Sequence, residues 1–137
     1  MRILVDTNVF LDLMLKREGC IDAIKFFAWC RLRKNQIFIT SMSMRDIEYT
    51  ATRFYHDKLK GQMILSDVYS LCSKVIGVSA DAAITAIYED YKDYEDELMV
   101  QSAKEAMLDA IVTNNIKDFE NCGFPVFKPG QLTVIAS

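Results

Sequence analysis

Three carboxylates in this chain fall where a parallel α/β sheet places its chemistry: Asp6, Asp46 and Asp96. Asp6 closes an apolar run, RILV. Asp46 lies in the second turn of a helical stretch after QIFIT, and Asp96 in the first turn of another, in DYEDEL. The run DAIVT ends in Thr113, Asn114 and Asn115, with Asp118 one short turn later. Strand ends and the helix starts that follow them share one edge of a parallel sheet, so these groups can meet. Carboxylates crowded into one pocket repel, and a cation relieves them. Oxygen-only donors suit Mg2+ or Mn2+, the ions of phosphoryl chemistry. Each acid also has a plainer reading. Asp6 can cap a helix, Asp93, Glu95, Asp96 and Glu97 can be ordinary first-turn acids, and Asp46 can pair with Arg45 in solvent. Asn115 can be an ordinary turn residue.

The elements that would position these residues alternate. The sequence predicts strands at 2–6, 36–40, 74–80, 109–113 and 125–129. Helices are predicted at 8–16, broken by Gly19, then at 21–34, 41–56, 59–73, 80–91 and 93–107. Ser41 is the expected N-cap of its helix, with Met44, Ile47, Ala51 and Phe54 facing inward. Leu59, Met63, Val68 and Leu71 are expected inward on the next. Alternation of this kind implies right-handed crossovers and a three-layer α/β/α sandwich on a central, mainly parallel sheet of about five strands. Residues 1–137 read as a single domain, without repeats or a Pro/Gly-rich linker.

The whole chain narrows the chemistry. It has 137 residues, 51% hydrophobic and 26% charged, which is globular composition. No signal peptide or membrane-length apolar run is evident, so a cytoplasmic protein with no membrane partner is expected. Cys20, Cys30, Cys72 and Cys122 form no C-x-x-C pair and His56 is the lone histidine, which argues against a zinc site. The cysteines are expected reduced. A net charge of −3 argues against a passive nucleic-acid binder but leaves room for a metal-dependent nuclease.

The segments RILVDTNVFLDLML, ITSMSMRDIEYTATRF, KDYEDELMVQSA and AIVTNNIKDF resemble the PIN domain family, the fold of VapC-type toxins and related ribonucleases. They stand in the family's order and span nearly the whole chain. The resemblance implies a Mg2+- or Mn2+-dependent endoribonuclease acting on single-stranded RNA and leaving 5′-phosphate and 3′-hydroxyl ends. It also implies a homodimer and, for a type II toxin, an antitoxin partner. Asp6 and Asp96 match the first and third acids. Asp46 stands where the family usually has Glu. Glu48 is an alternative roughly 200° around the helix, so only one of the two can face the pocket. Asn115 replaces the usual fourth acid and joins Asp6 and Asp96 as an implied metal ligand, with Asp118 able to compensate. Asp93 would support Asp96, and Thr113 and Asn8 would orient acids or waters. Arg45, Arg53, Lys58 and Lys60 are candidates for RNA backbone contacts.

Two other readings compete. The neutral Asn115 and short Asp46 would suit a catalytically weakened PIN-like interaction module. A Mg2+-dependent phosphatase with an Asp nucleophile expects an acid at position 8, where this chain has Asn8. The apolar residues Phe10, Leu13, Met14, Phe26, Phe27 and Trp29 are expected in the core or on a homodimer face.

Overall fold

The computed structural model describes residues 1–135; positions 136 and 137 of the expected domain lie outside the described residues. Strand β1 (Arg2–Val5) is followed by helices α1 (Thr7–Met14) and α2 (Cys20–Leu32). Next come β2 (Gln36–Thr40), α3 (Ser41–Tyr55), α4 (Lys58–Leu71) and β3 (Lys74–Ile76). Then follow α5 (Ala80–Ile87), α6 (Tyr94–Glu105), β4 (Ala110–Val112), a 3-10 turn (Ile116–Phe119), β5 (Val126–Phe127) and α7 (Pro129–Ile135). The sheet order is β3-β2-β1-β4-β5 and every pairing is parallel.

Side chains alternate across the central strands. Ile3 and Val5, Ile37 and Ile39, and Val112 join the core formed with α1, α2, α3, α4 and α7. Leu4, Phe38 and Ile111 face the opposite way, onto Met99, Val100 and Ala103 of α6. Helix α5 leans on α6, where the Tyr94 hydroxyl donates to the Ala83 carbonyl at 2.7 Å. The sheet therefore lies between two helical layers, as the strand–helix alternation implies.

Several expectations are corrected. Thr40, not Ser41, caps α3: its hydroxyl accepts from the Ser43 N–H at 3.0 Å. Phe54, Leu59 and Met63 are exposed rather than inward. Gly61 is the reason. It is buried against α3, and a Cβ there would lie 1.9 Å from Thr52 Oγ1 and 3.0 Å from Thr52 Cα. That close approach turns Ile64, Leu65 and Val68 toward the core instead. The third strand covers Lys74–Ile76 only, the last covers two residues, and α7 forms where no helix was expected. Leu132, 1% exposed, anchors α7 in the core.

Phe10, Phe26 and Phe27 are buried, with Phe27 ring centroids 5.4 Å from Phe10 and 5.2 Å from Phe26. They form core and not a docking face. Leu13, Met14 and Trp29 pack partly buried against the same cluster. All four cysteines are free. Burial pushes the thiols of Cys30 and Cys72 up to about 12, so both stay protonated and inert at neutral pH. No helix among the described residues is long and apolar enough to cross a membrane.

Candidate functional site

Asp6 is the hinge between β1 and α1, and it performs both of the tasks its position suggested. Its backbone N–H continues the sheet by donating to the Val112 carbonyl at 2.9 Å. One carboxylate oxygen accepts from the Thr7 N–H at 2.8 Å, capping α1. The other accepts from the Thr113 hydroxyl at 2.8 Å, across 107 residues of sequence. Thr113 is fully buried, and its hydroxyl also accepts from the Asn115 N–H at 3.0 Å. Asp6 itself is 7% exposed. Burial raises its pKa, the bonds from Thr113 and Thr7 oppose the rise, and repulsion from Asp118 and Asp46 adds to it.

Helix α6 brings the next group. Asp93 is its N-cap, accepting from the Asp96 N–H at 3.2 Å. The half-buried Asp96 carboxyl is pushed up to about 7, first by burial, then by Asp6, Asp93, Asp118 and Glu95. Glu95 is raised too, by burial, by a hydrogen bond with Asp46, and by the charges of Asp46, Asp93 and Asp6. Asp46 reaches this group from the second turn of α3 and also accepts from Arg45 at 3.1 Å. Glu48 turns elsewhere and accepts from the Thr52 hydroxyl at 3.0 Å.

Asp6, Asp46, Asp93, Asp96 and Asp118 thus influence one another from four separate stretches of chain. Glu95 belongs with them, although its sequence position reads only as a first-turn acid. Asn115 is linked to Asp6 through the Thr113 hydroxyl, and it and Asn8 also line the space next to the acids. Asn115 is exposed, starts the 3-10 turn, and lines a neighbouring groove of about 740 Å3 with Asn8, Asp12, Arg17 and Lys128. Asn8 accepts from Arg17 at 3.3 Å. The groove holds a second network that sequence reasoning missed. Buried Asp12 pairs with Arg17 at 2.8 Å and accepts from the Asn114 amide. A charge inside the apolar run VFLDLML was the available signal. Gly19 permits this packing, since a Cβ there would lie 2.2 Å from Asp12 Oδ2. Arg53, Lys58 and Lys60 are exposed.

The donor set fits a hydrated hard cation. Every group is a carboxylate, burial first and neighbouring acids second raise the pKa values, and Asp6 keeps lone pairs free on both oxygens. Among the described residues no three His, Cys, Asp or Glu side chains are grouped so that they could hold a metal ion by themselves.

A family model described as PIN domain matches residues 2–117. No curated protein matches the chain. Among solved structures, VapBC2 from Rickettsia felis, bound to a promoter DNA fragment, is similar with a TM-score of 0.70 and 20% identity. That match covers 93% of this chain and 98% of the other. A toxin-antitoxin complex from Klebsiella pneumoniae matches at a TM-score of 0.66 and 25% identity, over 93% and 97% of the two chains. VapC20 of Mycobacterium tuberculosis, a Sarcin-Ricin loop cleaving toxin, matches at 0.67 and 14%, over 89% and 95%.

Proposed function

The chain belongs to the PIN domain family, and from that footing we propose that it is a Mg2+- or Mn2+-dependent endoribonuclease of single-stranded RNA, the toxin of a toxin–antitoxin pair. One observation supports this above the others: carboxylates from four distant segments gather at the carboxyl edge of the parallel sheet, with Asp6 buried and held from both sides. Asp6 and Asp96 would hold the ion, Asp46 would position the attacking water, and Asp118 would complete the negative set in place of the neutral Asn115. When bound, the ion lowers the pKa of water and offsets charge on the scissile phosphate.

The remaining work falls to the protein. Thr113 and the Thr7 N–H fix the Asp6 carboxylate so that no reorganisation is needed when substrate arrives. Asp93 fixes the start of α6 and thereby the position of Asp96. Glu95, raised by burial and then by Asp46, adds a further carboxyl beside Asp46. The similarity to proteins described as toxin–antitoxin complexes and as an RNA-cleaving toxin supports RNA as substrate and an antitoxin as partner. A second copy of the chain is part of the same proposal.

The test is cleavage of a mixed single-stranded RNA panel with Mn2+ or Mg2+, beside Asp6→Asn, Asp96→Asn and an EDTA control. Metal-dependent cleavage that both variants lose supports the reading. Folded wild-type protein that cleaves with neither ion refutes it and favours the interaction module.

A further inference from the structure

Helix α3 carries a second chemistry on a stripe that starts beside Asp46. Arg45, Tyr49 and Arg53 recur every four residues, so they form one stripe about 12 Å long. The Arg45 guanidinium lies 5.1 Å from the centre of the Tyr49 ring and that of Arg53 lies 5.4 Å from it. Arg53 also donates to the Tyr49 hydroxyl at 2.7 Å. One turn on, Phe54 is 57% exposed, and Lys60 at the start of α4 lies 5.2 Å from the Tyr55 ring. Three of the four cation–π pairs among the described residues therefore lie on this single hairpin.

Of the acids on the same hairpin, Asp46 accepts from Arg45 at 3.1 Å, Glu48 accepts from Thr52, Asp57 caps α4 by accepting from the Leu59 N–H at 2.9 Å, and Asp67 lines a hollow with Tyr55 and Lys60. Arg53, Lys58 and Lys60 take part in no ion pair among the described residues. In a chain of net charge −3, an exposed stripe of stacked cations and rings joined to a carboxylate site is out of keeping with its surroundings. Stacked aromatics with interleaved arginines are the means by which proteins hold single strands: cations track the phosphates and rings take the base faces. A guanidinium already held against a ring loses less freedom on binding than a free one.

We infer that the Arg45–Tyr49–Arg53 ridge is the docking track for the single-stranded RNA, holding the nucleotides beside the scissile bond through phosphate contacts and a base stacked at Tyr49. This inference rests on the proposed nuclease activity. It adds a binding subsite outside the acid group, with Lys58 and Lys60 extending the track.

The experiment measures binding of a fluorescent single-stranded RNA to the full chain by anisotropy across a salt series, together with cleavage. The variants are Arg53→Gln, Tyr49→Ala and Tyr49→Phe, with Lys25→Gln on the exposed side of α2 as the control. Arg53→Gln is expected to weaken binding several-fold and to flatten the salt slope by about 0.7, the value for one lost single-strand phosphate contact. Tyr49→Ala is expected to cost roughly tenfold and Tyr49→Phe to recover most of that loss. Lys25→Gln leaves both readings unchanged. Should wild type bind and cleave while Arg53→Gln and Tyr49→Ala match it, the track is refuted and the nuclease stands. Variants that keep RNA affinity but change the oligomer size on gel filtration assign the ridge to a protein contact and also refute it. A wild-type protein that neither binds nor cleaves RNA removes both readings.

Discussion

Asp96→Asn is expected to make the metal-free protein more stable. The Asp96 carboxyl is raised from 3.8 to about 7, chiefly by burial and then by four neighbouring acids. At 1.36 kcal/mol per pH unit the rise is worth about 4 kcal/mol, and solvent reaching this half-buried group reduces it to about 2 kcal/mol. The sign follows from proton counting. Between about pH 4 and pH 7 the folded chain holds the Asp96 proton while the unfolded chain has released it, so stability falls as pH rises through that window. Asn cannot ionise and escapes the loss. No hydrogen bond between described residues is removed, because the Asp96 carboxylate accepts none of them; its backbone N–H donates to Asp93 in either case. Urea unfolding in EDTA should therefore show a gain of about 2 kcal/mol at pH 8 that disappears near pH 4. Saturating Mn2+ reverses the order, since occupancy at about 100 times Kd adds about 2.7 kcal/mol to wild type and less to the variant. A variant no more stable than wild type at pH 8, or equally improved at both pH values, would refute the account of Asp96 as a carboxyl raised by burial and by its acidic neighbours.

Three further outcomes are expected. Thr113→Val keeps the side-chain shape but removes the hydroxyl from Asp6, so Mn2+ affinity measured by calorimetry falls by about 10- to 100-fold while the fold persists. Binding of Mn2+ near pH 7 expels part of a proton from Asp96, so calorimetric heats differ between buffers of unlike ionisation enthalpy; identical heats would place the raised carboxyl away from the ion. Gly61→Ala drives a methyl group against Thr52 backbone and costs about 2–3 kcal/mol in urea melts, separating α3 from α4.

The layout of strands and acids was legible because both obey short-range rules. RILV and QIFIT are continuous apolar runs of strand length, and a buried parallel strand has no other composition. Asp6, Asp46 and Asp96 follow strand ends or open helices, so topology alone gathers them. What escaped depends on pairs of elements. A helical period offers more than one apolar face, and the close approach at Gly61 chose between them for α4, leaving Leu59 and Met63 outside. The helix PGQLTVI is held by Leu132 against a core assembled 100 residues earlier, a contact no local pattern announces. Asn8 and Asn115 look like members of the acid group by position. In the structure Asn8 also accepts from Arg17, and the 3-10 turn that follows Asn115 brings the charge of Asp118 to bear on Asp96.

The bond from Thr113 to Asp6 also sets an order of events. Strand β1 is central, with β2 on one side and β4 on the other. Residues 1–76 can begin to collapse as a β1–β2–β3 unit during synthesis, with few charges to bring together. Asp96 and Asp118 come near Asp6 only when β4 inserts, closing a loop that spans most of the chain. The repulsion that Asp96 and Asp118 add to that between Asp6 and Asp46 is thus imposed only as the last two strands dock. A nascent chain halted before Ala110 holds Asp6 without the Thr113 hydroxyl, so the acid group is complete only with the sheet.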